Sequence, residues 1–363
     1  VKSLEHPIHI YGLIHPDLPH QSFPPLRTLS NQEKEIQELE IGRILHNLPH
    51  QASAFVGRQN EIKEIISLLN QAKTRLISIV GPGGMGKTRL ALALAESQVQ
   101  TSTGNMESFL YPDGVYFVPL ASLDEPEQII LAITKALNVP VDSGQNKEVL
   151  DHTVQTDNTP KLRLLEFLKN RQILIILDNF EHLSDGAEIV SSILENNPGL
   201  QIIVTTRERL HIREEQVYPI QGLEFPEIET LKDPCDYTAI ELFIQSAQRL
   251  LPDFEVSEHD IRYLIQICNL VGGMPLGLEL AASWVDMLSL KDIAEEIQKN
   301  LDFLETDMRN IPDRHRSIRA VFDASWNRLT EVEKRIFSRF SMLRGGFSRS
   351  AAQEIAGASI RNL

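Results

Sequence analysis

Residues 76–88 read Leu76-Ile77-Ser78-Ile79-Val80-Gly81-Pro82-Gly83-Gly84-Met85-Gly86-Lys87-Thr88. A short apolar, β-favouring run passes into a glycine-rich loop, and residues 87–99 (KTRLALALAESQV) are good helix formers. The loop satisfies G-x-x-x-x-G-K-[ST] and lies between a predicted strand and a predicted helix, the context that gives the motif meaning. Its glycines let the backbone curl so that successive N–H groups point inward at phosphate oxygens. The helix beginning at Lys87 adds its positive end. Lys87 is placed to reach β- and γ-phosphates, and the Thr88 hydroxyl to ligate Mg²⁺. The alternative, a glycine-rich turn without a ligand, needs motif, strand and helix to coincide by accident. The stretch therefore predicts a nucleoside triphosphate site built from Gly81, Gly83, Gly84, Met85, Gly86, Lys87, Thr88 and Arg89.

Working outward, residues 58–70 carry Ile62, Ile65, Ile66 and Leu69 at helical spacing. Strands are predicted at 115–120, 173–177 and 201–205, and helices at 125–137, 160–170 and near 185–196. Residues 140–159 are polar and read as a loop. Strands alternating with helices predict a parallel sheet covered on both faces. After about Leu223 the strands stop, and helical patterns take over at 236–250, 257–270, 274–288, 291–300, 316–327 and 331–340. The expected organisation is an α/β P-loop NTPase domain over 51–224, a helical domain over 225–305 and a further piece over 306–363. Residues 1–50 hold six of the eleven histidines and six prolines. His6, His9, His15, His20, His46 and His50 are irregularly spaced and lack acidic or cysteine partners at ligand intervals. That segment reads as a linker or the tail of a preceding domain, not as a metal site.

The 363 residues carry 50 acidic and 35 basic side chains, a formal charge of −15. A hydrophobic content of 42% and a charged content of 23% exclude wholesale disorder and a fibrous repeat. The charge is unevenly distributed. Residues 51–305 carry 20 basic and 38 acidic groups, whereas residues 306–363 carry 11 and 6. An acidic body is a poor non-specific ligand for nucleic acid or an anionic membrane. Cys235 and Cys268 have no metal-ligand spacing and suit a reducing compartment. The strongest apolar run, 173–177, is far too short to span a membrane. No basic segment precedes an apolar core at the N-terminus, and no initiator Met is present. The expectation is a piece of a longer cytoplasmic protein.

Leu174-Ile175-Ile176-Leu177-Asp178 has the shape of a Walker B element, an apolar strand ending in a carboxylate. Functional groups gather at C-terminal strand ends in a parallel sheet, so Asp178 is expected beside Thr88 and the metal. The bland reading is an Asp that caps the next segment. Asn179 follows, where a rapidly hydrolysing ATPase often has a second acid, and a neutral amide cannot act as general base. Glu181 is the nearest substitute, so slow hydrolysis is expected. Ile202-Ile203-Val204-Thr205-Thr206-Arg207 ends at the same sheet edge. Arg207 could reach a γ-phosphate, with Thr205 or Thr206 as a polar neighbour, or could pair with Glu208 or Glu214.

These elements, in this order, resemble the STAND class of P-loop ATPases, specifically the NB-ARC-type module of bacterial multidomain regulators. The likeness rests on Phe55-Val56-Gly57-Arg58, GPGGMGKTRLALALA, LIILDNFEHL, IIVTTRERL and Gly272-Gly273-Met274-Pro275-Leu276-Gly277-Leu278, and spans roughly residues 52–357. It implies that Phe55, Val56, Gly57 and Arg58 contact the adenine end, that Pro275 packs near the base and that Arg207 senses the γ-phosphate. It also implies that residues 306–363 are the first part of a winged-helix domain. Residues 10–30 look like the connector that follows a class III cyclase-type domain in such regulators.

Three functions follow from this reading. The first is an ATP/ADP-controlled signalling switch with slow hydrolysis. It would self-associate in its ATP state and be linked to sensor and output domains outside this stretch. The second is an actively hydrolysing AAA+-like remodeller, against which Asn179 counts. The third is a DNA-binding regulator acting through Arg314, Arg316, Arg319, Arg335, Arg339, Arg344 and Arg349. Such arginines more often form a solvated face or pair with an acidic neighbour, and the body beside them is strongly acidic. The basic segment is expected to latch electrostatically onto that body.

Overall fold

The computed structural model describes residues 44–51, 53–71, 73–100, 110–140, 159–226, 237–306, 316–341 and 348–357. The connector-like front segment, most of the polar stretch at 140–159, Cys235, Arg314 and Arg344 lie outside them.

The α/β part runs α1 (Gln59–Leu69), β1 (Leu76–Val80), α2 (Lys87–Gln100), β2 (Val115–Pro119), α3 (Gln128–Ala136), α4 (Pro160–Leu168), β3 (Ile173–Asp178), α5 (Ala187–Asn196), β4 (Leu200–Thr206) and β5 (Glu215–Pro219). All five strands are parallel, in the order β2-β3-β4-β1-β5. Strand residues alternate between two cores, as a period of two requires. Ile173, Ile175, Leu177, Ile202 and Val204 meet Ile129, Ile133, Leu164, Val190 and Ile193 of α3, α4 and α5. Leu174, Ile176, Ile203, Ile77 and Ile79 meet Ile65, Leu69, Leu90 and Leu94 of α1 and α2. Every residue of β3 is buried, which is why its run is continuously apolar and not alternating.

The sequence reading lacks β5. This strand is an edge, partly exposed along its length, with Glu215 and Gln216 at its start. It therefore carries little of the apolar signal that marks a buried strand. It pairs with β1 from Leu76↔Glu215 to Val80↔Pro219, and the Ile220 N–H donates to Val80 O at 2.8 Å.

A helical part follows: α6 (Thr238–Gln248), α7 (Ile261–Leu270), α8 (Pro275–Ala282) and α9 (Leu290–Lys299). Phe243, Leu264, Ile267, Leu278, Ile293 and Ile297 form its core, into which Val56 and Leu223 reach from the α/β part. Cys268 sits in the same core, and burial pushes its thiol up to about 12. The helix expected over 274–288 is shorter and starts with Pro275 at its first turn, where a missing N–H costs nothing. Before it, Gly272 and Gly273 both adopt left-handed φ, +60° and +64°. Their backbone lies directly against residues 222–223, and the Leu223 N–H donates to Gly273 O at 2.7 Å. A Cβ on Gly222 would overlap Gly272 O, and one on Gly273 would overlap Leu223 O.

The last described elements are α10 (Ile318–Trp326), α11 (Glu331–Phe340) and α12 (Arg349–Ala356). Side chains of Ser317, Thr330 and Ser348 cap their N-termini, with a full capping box between Thr330 and Glu333. Ile336, Phe340, Ala352 and Ala356 pack α11 against α12. The sequence reading does not include α12. Among the described residues no helix is long and apolar enough to cross a membrane.

Candidate functional site

Strand order decides what meets what at the carboxyl edge of the sheet. β4 lies between β1 and β3, so Thr205, Thr206 and Arg207 stand between the phosphate loop and Asp178. The Gly81 N–H donates to Thr206 O at 3.3 Å. Thr88 Oγ1 and Thr205 Oγ1 both donate to Asp178 Oδ1, at 2.6 and 2.7 Å. The Asn179 N–H donates in turn to Thr205 Oγ1 at 2.9 Å. A threonine hydroxyl and a carboxylate side by side are hard oxygen donors of the kind Mg²⁺ takes, with its remaining positions left to phosphate and water. Thr88 and Asp178 thus fit the expected metal pair.

Lys87 Nζ donates to Gly81 O and Pro82 O, at 2.7 and 2.8 Å, folding the lysine back over its own loop. Burial pushes its pKa down to about 8, with Arg207 adding to the fall while Glu181 and Asp178 oppose it. A polyanion placed in the loop would reverse the balance by supplying opposite charge.

Asn179 adopts a left-handed φ of +66°, which turns the chain out of β3 into a 3-10 turn, Phe180–His182. That turn carries Glu181 back to the site, buried at 6% exposure. Glu181 Oε1 accepts from Arg207 Nε at 3.0 Å, while Oε2 is buried with no hydrogen-bond partner among the described residues. The partner of Arg207 is therefore Glu181, in place of the Glu208 or Glu214 suggested by sequence proximity. The rest of the guanidinium faces α10, where Nη1 donates to Ser325 Oγ and, at 3.4 Å, to Val321 O. Val321 also covers the loop itself. A Cβ built on Gly83 would lie 2.6 Å from Val321 Cγ1 and 3.3 Å from Arg207 Nη2.

At the other end, Arg58 is buried, with φ +59° next to Gly57 at +71°. Its guanidinium donates to Met85 O (3.0 Å), Gln221 O (2.7 Å) and Glu61 (3.1 Å). It clamps the loop to the chain leaving β5. Arg89 donates to Ser53 Oγ, Ser53 O and Ala54 O, fixing the strap that carries Phe55 and Val56. From the helical part, the Leu276 N–H donates to Gly84 O at 3.2 Å, and Pro275 lies over Gly86.

Together these residues line a cleft of about 200 Å³. Phe55, Val56, Arg58, Gly83, Gly84, Gly86, Lys87, Thr88, Arg89, Glu181, Arg207 and Pro275 line it. Gly57, Gly81, Met85 and Asp178 stand behind the lining and support it: Gly57 against Thr238, Gly81 on β4, Met85 under Arg58 and Asp178 under Thr88. Leu223, Leu242, Leu276 and Glu279 also line it, and the sequence reading names none of them as a site residue. Nothing in a single helical pattern marks which residue of α8 turns toward another part of the chain.

Residues 70–213 match the family model described as AAA domain. The chain carries a P-loop domain of the AAA type. Likenesses to individual proteins extend over more of the chain. A Mycobacterium bovis protein provisionally named an HTH-type transcriptional regulator is 30% identical over 289 residues, 79% of this chain. The chain spans only 29% of that relative's length. An uncharacterized M. bovis protein is 27% identical over 326 residues, 90% of this chain and 74% of the relative. A solved structure similar in part is a STAND protein with a tetratricopeptide repeat sensor from Pyrococcus horikoshii. It is 17% identical, with a TM-score of 0.37 over 84% of this chain and 37% of that one. At that score the likeness transfers no residue role to the P-loop domain described here.

Proposed function

We propose that the chain is a nucleotide-controlled switch of the STAND/NB-ARC kind, held closed with ADP and opened by ATP and Mg²⁺. One observation carries this reading. Arg207 is shared between Glu181 inside the P-loop site and Ser325 and Val321 of α10. A γ-phosphate in the loop offers this guanidinium a doubly charged, fork-shaped acceptor, which outcompetes a neutral hydroxyl and a carbonyl. Val321, packed at Gly83, ties the same helix to the loop that would hold this phosphate. Triphosphate binding and the seating of α10 thus compete for Arg207, and differential affinity of this kind is what shifts a conformational equilibrium.

The chemistry follows from the same contacts. Bound Mg²⁺ would neutralise charge developing on the phosphates, with Thr88 and Asp178 holding it. Lys87 leaves the loop carbonyls for β- and γ-oxygens. Arg207, drawn to the γ-phosphate, releases Glu181, whose carboxylate then accepts the proton of an attacking water. Asn179 supplies no base, and its substitute Glu181 must first be freed from Arg207, so turnover is slow and resets the switch. Steady hydrolysis above about 1 s⁻¹ would instead select the remodelling ATPase, the reading favoured by the buried Oε2 of Glu181, which has no partner among the described residues.

In this reading residues 306–363 are a partial winged-helix domain, the ATP form self-associates, and sensor and output domains lie elsewhere in a cytoplasmic protein. The HTH-regulator name of the M. bovis relative supports a regulatory output without locating it in this stretch. The contact at the phosphate loop is not the electrostatic latch expected from the charge distribution, because a basic residue of the acidic body reaches neutral groups of α10. The ion pair Arg319–Asp302, 2.6 Å, is exposed on both sides and contributes on the order of 0–1 kcal/mol. Raising salt should therefore leave the closed form largely intact.

The test compares ATP and ADP affinities of the parent with those of Ser325→Ala and Val321→Ala by calorimetric titration. The expected result is a gain in ATP affinity relative to ADP of about tenfold in each variant. The proposal fails if neither nucleotide binds the parent, or if both variants leave the ATP-to-ADP ratio unchanged.

A further inference from the structure

The cleft carries one carboxylate that the phosphate chemistry does not use. Glu279 lies one helical turn after Pro275 on α8 and so projects from the same face. Helix α8 is tied to the phosphate loop by the Leu276–Gly84 hydrogen bond and by Pro275 over Gly86. Glu279 therefore stands about one helical pitch, roughly 5 Å, further along the cleft from the phosphates. It lines the cleft near Arg89, the residue that follows Thr88, where Val56, Leu242 and Leu276 make the walls apolar.

Among the described residues its carboxylate accepts no hydrogen bond. Arg89 donates to Ser53 and Ala54 instead. Burial raises the carboxyl's pKa, and only the more distant charges of Arg249 and Arg89 oppose the rise. A carboxylate facing an apolar-walled cleft without a donor is costly, and the cost disappears when a ligand brings donors to it.

We propose that Glu279 reads the sugar of the bound nucleotide by accepting hydrogen bonds from the ribose 2′ and 3′ hydroxyls. An ionised carboxylate only accepts, through two oxygens, and a vicinal diol presents two donors with matching spacing. The adenine edge matches poorly, because its ring nitrogen N1, an acceptor, sits beside the exocyclic amine. The position also agrees, since the group that adjoins the phosphates in a nucleotide is the sugar. This inference rests on the nucleotide-switch reading and adds to it a determinant of ribonucleotide against deoxyribonucleotide.

The experiment titrates the full chain with ADP, 2′-deoxy-ADP and GDP, using the parent, Glu279→Ala and the isosteric Glu279→Gln. The parent is expected to bind 2′-deoxy-ADP about tenfold more weakly than ADP. Glu279→Ala is expected to bind both sugars equally, and more weakly than the parent binds 2′-deoxy-ADP, because the contact to the 3′ hydroxyl is lost as well. Glu279→Gln, which keeps one acceptor and the side-chain volume, falls between and gives the answer should the alanine variant not fold. Equal binding of both sugars by the parent overturns the proposal. So does undiminished discrimination in both variants, or a change in ADP-against-GDP preference with sugar discrimination intact. Each of those leaves the switch reading standing, whereas a parent that binds no ADP overturns both.

Discussion

Lys87→Ala is expected to weaken ADP binding by at least about a hundredfold, the loss of a buried, charge-assisted contact to phosphate. The lysine is desolvated in the protein alone, with its pKa at about 8 and two loop carbonyls as its hydrogen-bond partners. Phosphate restores the protonated form, so binding takes up a proton once the pH exceeds the free value. Affinity should be flat below pH 8 and fall above it, by up to about tenfold per pH unit, until the bound-state pKa is reached. Calorimetric titration at pH 7 and pH 9 measures this directly, and Lys87→Ala should lose the slope together with the affinity. Stability runs the opposite way. The folded pKa lies below the ordinary value of 10.5, so between pH 8 and 10.5 the unfolded chain holds a proton that the folded chain lacks. Lys87 therefore adds stability as pH rises through that window and none of this gain below it. Unchanged binding in Lys87→Ala would remove the phosphate assignment.

The second large effect is structural. Gly273→Ala should destabilise the chain by about 3 kcal/mol or more, whereas Gly272→Ala should cost only about 1 kcal/mol. Both glycines have left-handed φ, so backbone strain is common to the two substitutions. They differ in surroundings. A Cβ on Gly273 runs into the backbone of Leu223, while one on Gly272 meets nothing within 4 Å. Because backbone cannot turn aside as a side chain can, the clash at Gly273 must part the helical segment from the chain leaving β5. That separation also moves Pro275 and Leu276 off the phosphate loop, so ADP affinity should fall with the melting temperature. Thermal unfolding followed by circular dichroism, with and without saturating ADP, tests the ordering. Equal losses in the two variants would show that strain, not the backbone contact, sets the cost.

The phosphate loop was legible because its chemistry is local. One strand, one glycine loop and one helix start are consecutive in the chain, and Leu76–Val80 and Lys87 appear in the structure where the sequence places them. The same holds for β3 and β4, whose apolar runs end in the polar residues that face the site. Strand β5 was not legible, because half of an edge strand's information is the partner it pairs with. Nor was Glu279, one charge on a helix whose mean pattern only says that it is largely buried.

By itself, the sequence determined that this chain folds an α/β P-loop domain followed by helices, with Lys87, Thr88 and Asp178 at one sheet edge. Motif spacing and hydrophobic period are properties of neighbours in the chain, and a single sequence displays them. Tertiary structure alone decided that β4 stands between β1 and β3, that Arg207 bonds to Glu181 and α10, and that Val321 rests on Gly83. Those facts depend on strand order and on contacts between residues more than a hundred positions apart, such as Arg207 with Ser325. No local pattern encodes such a meeting, because either residue would look the same with another partner.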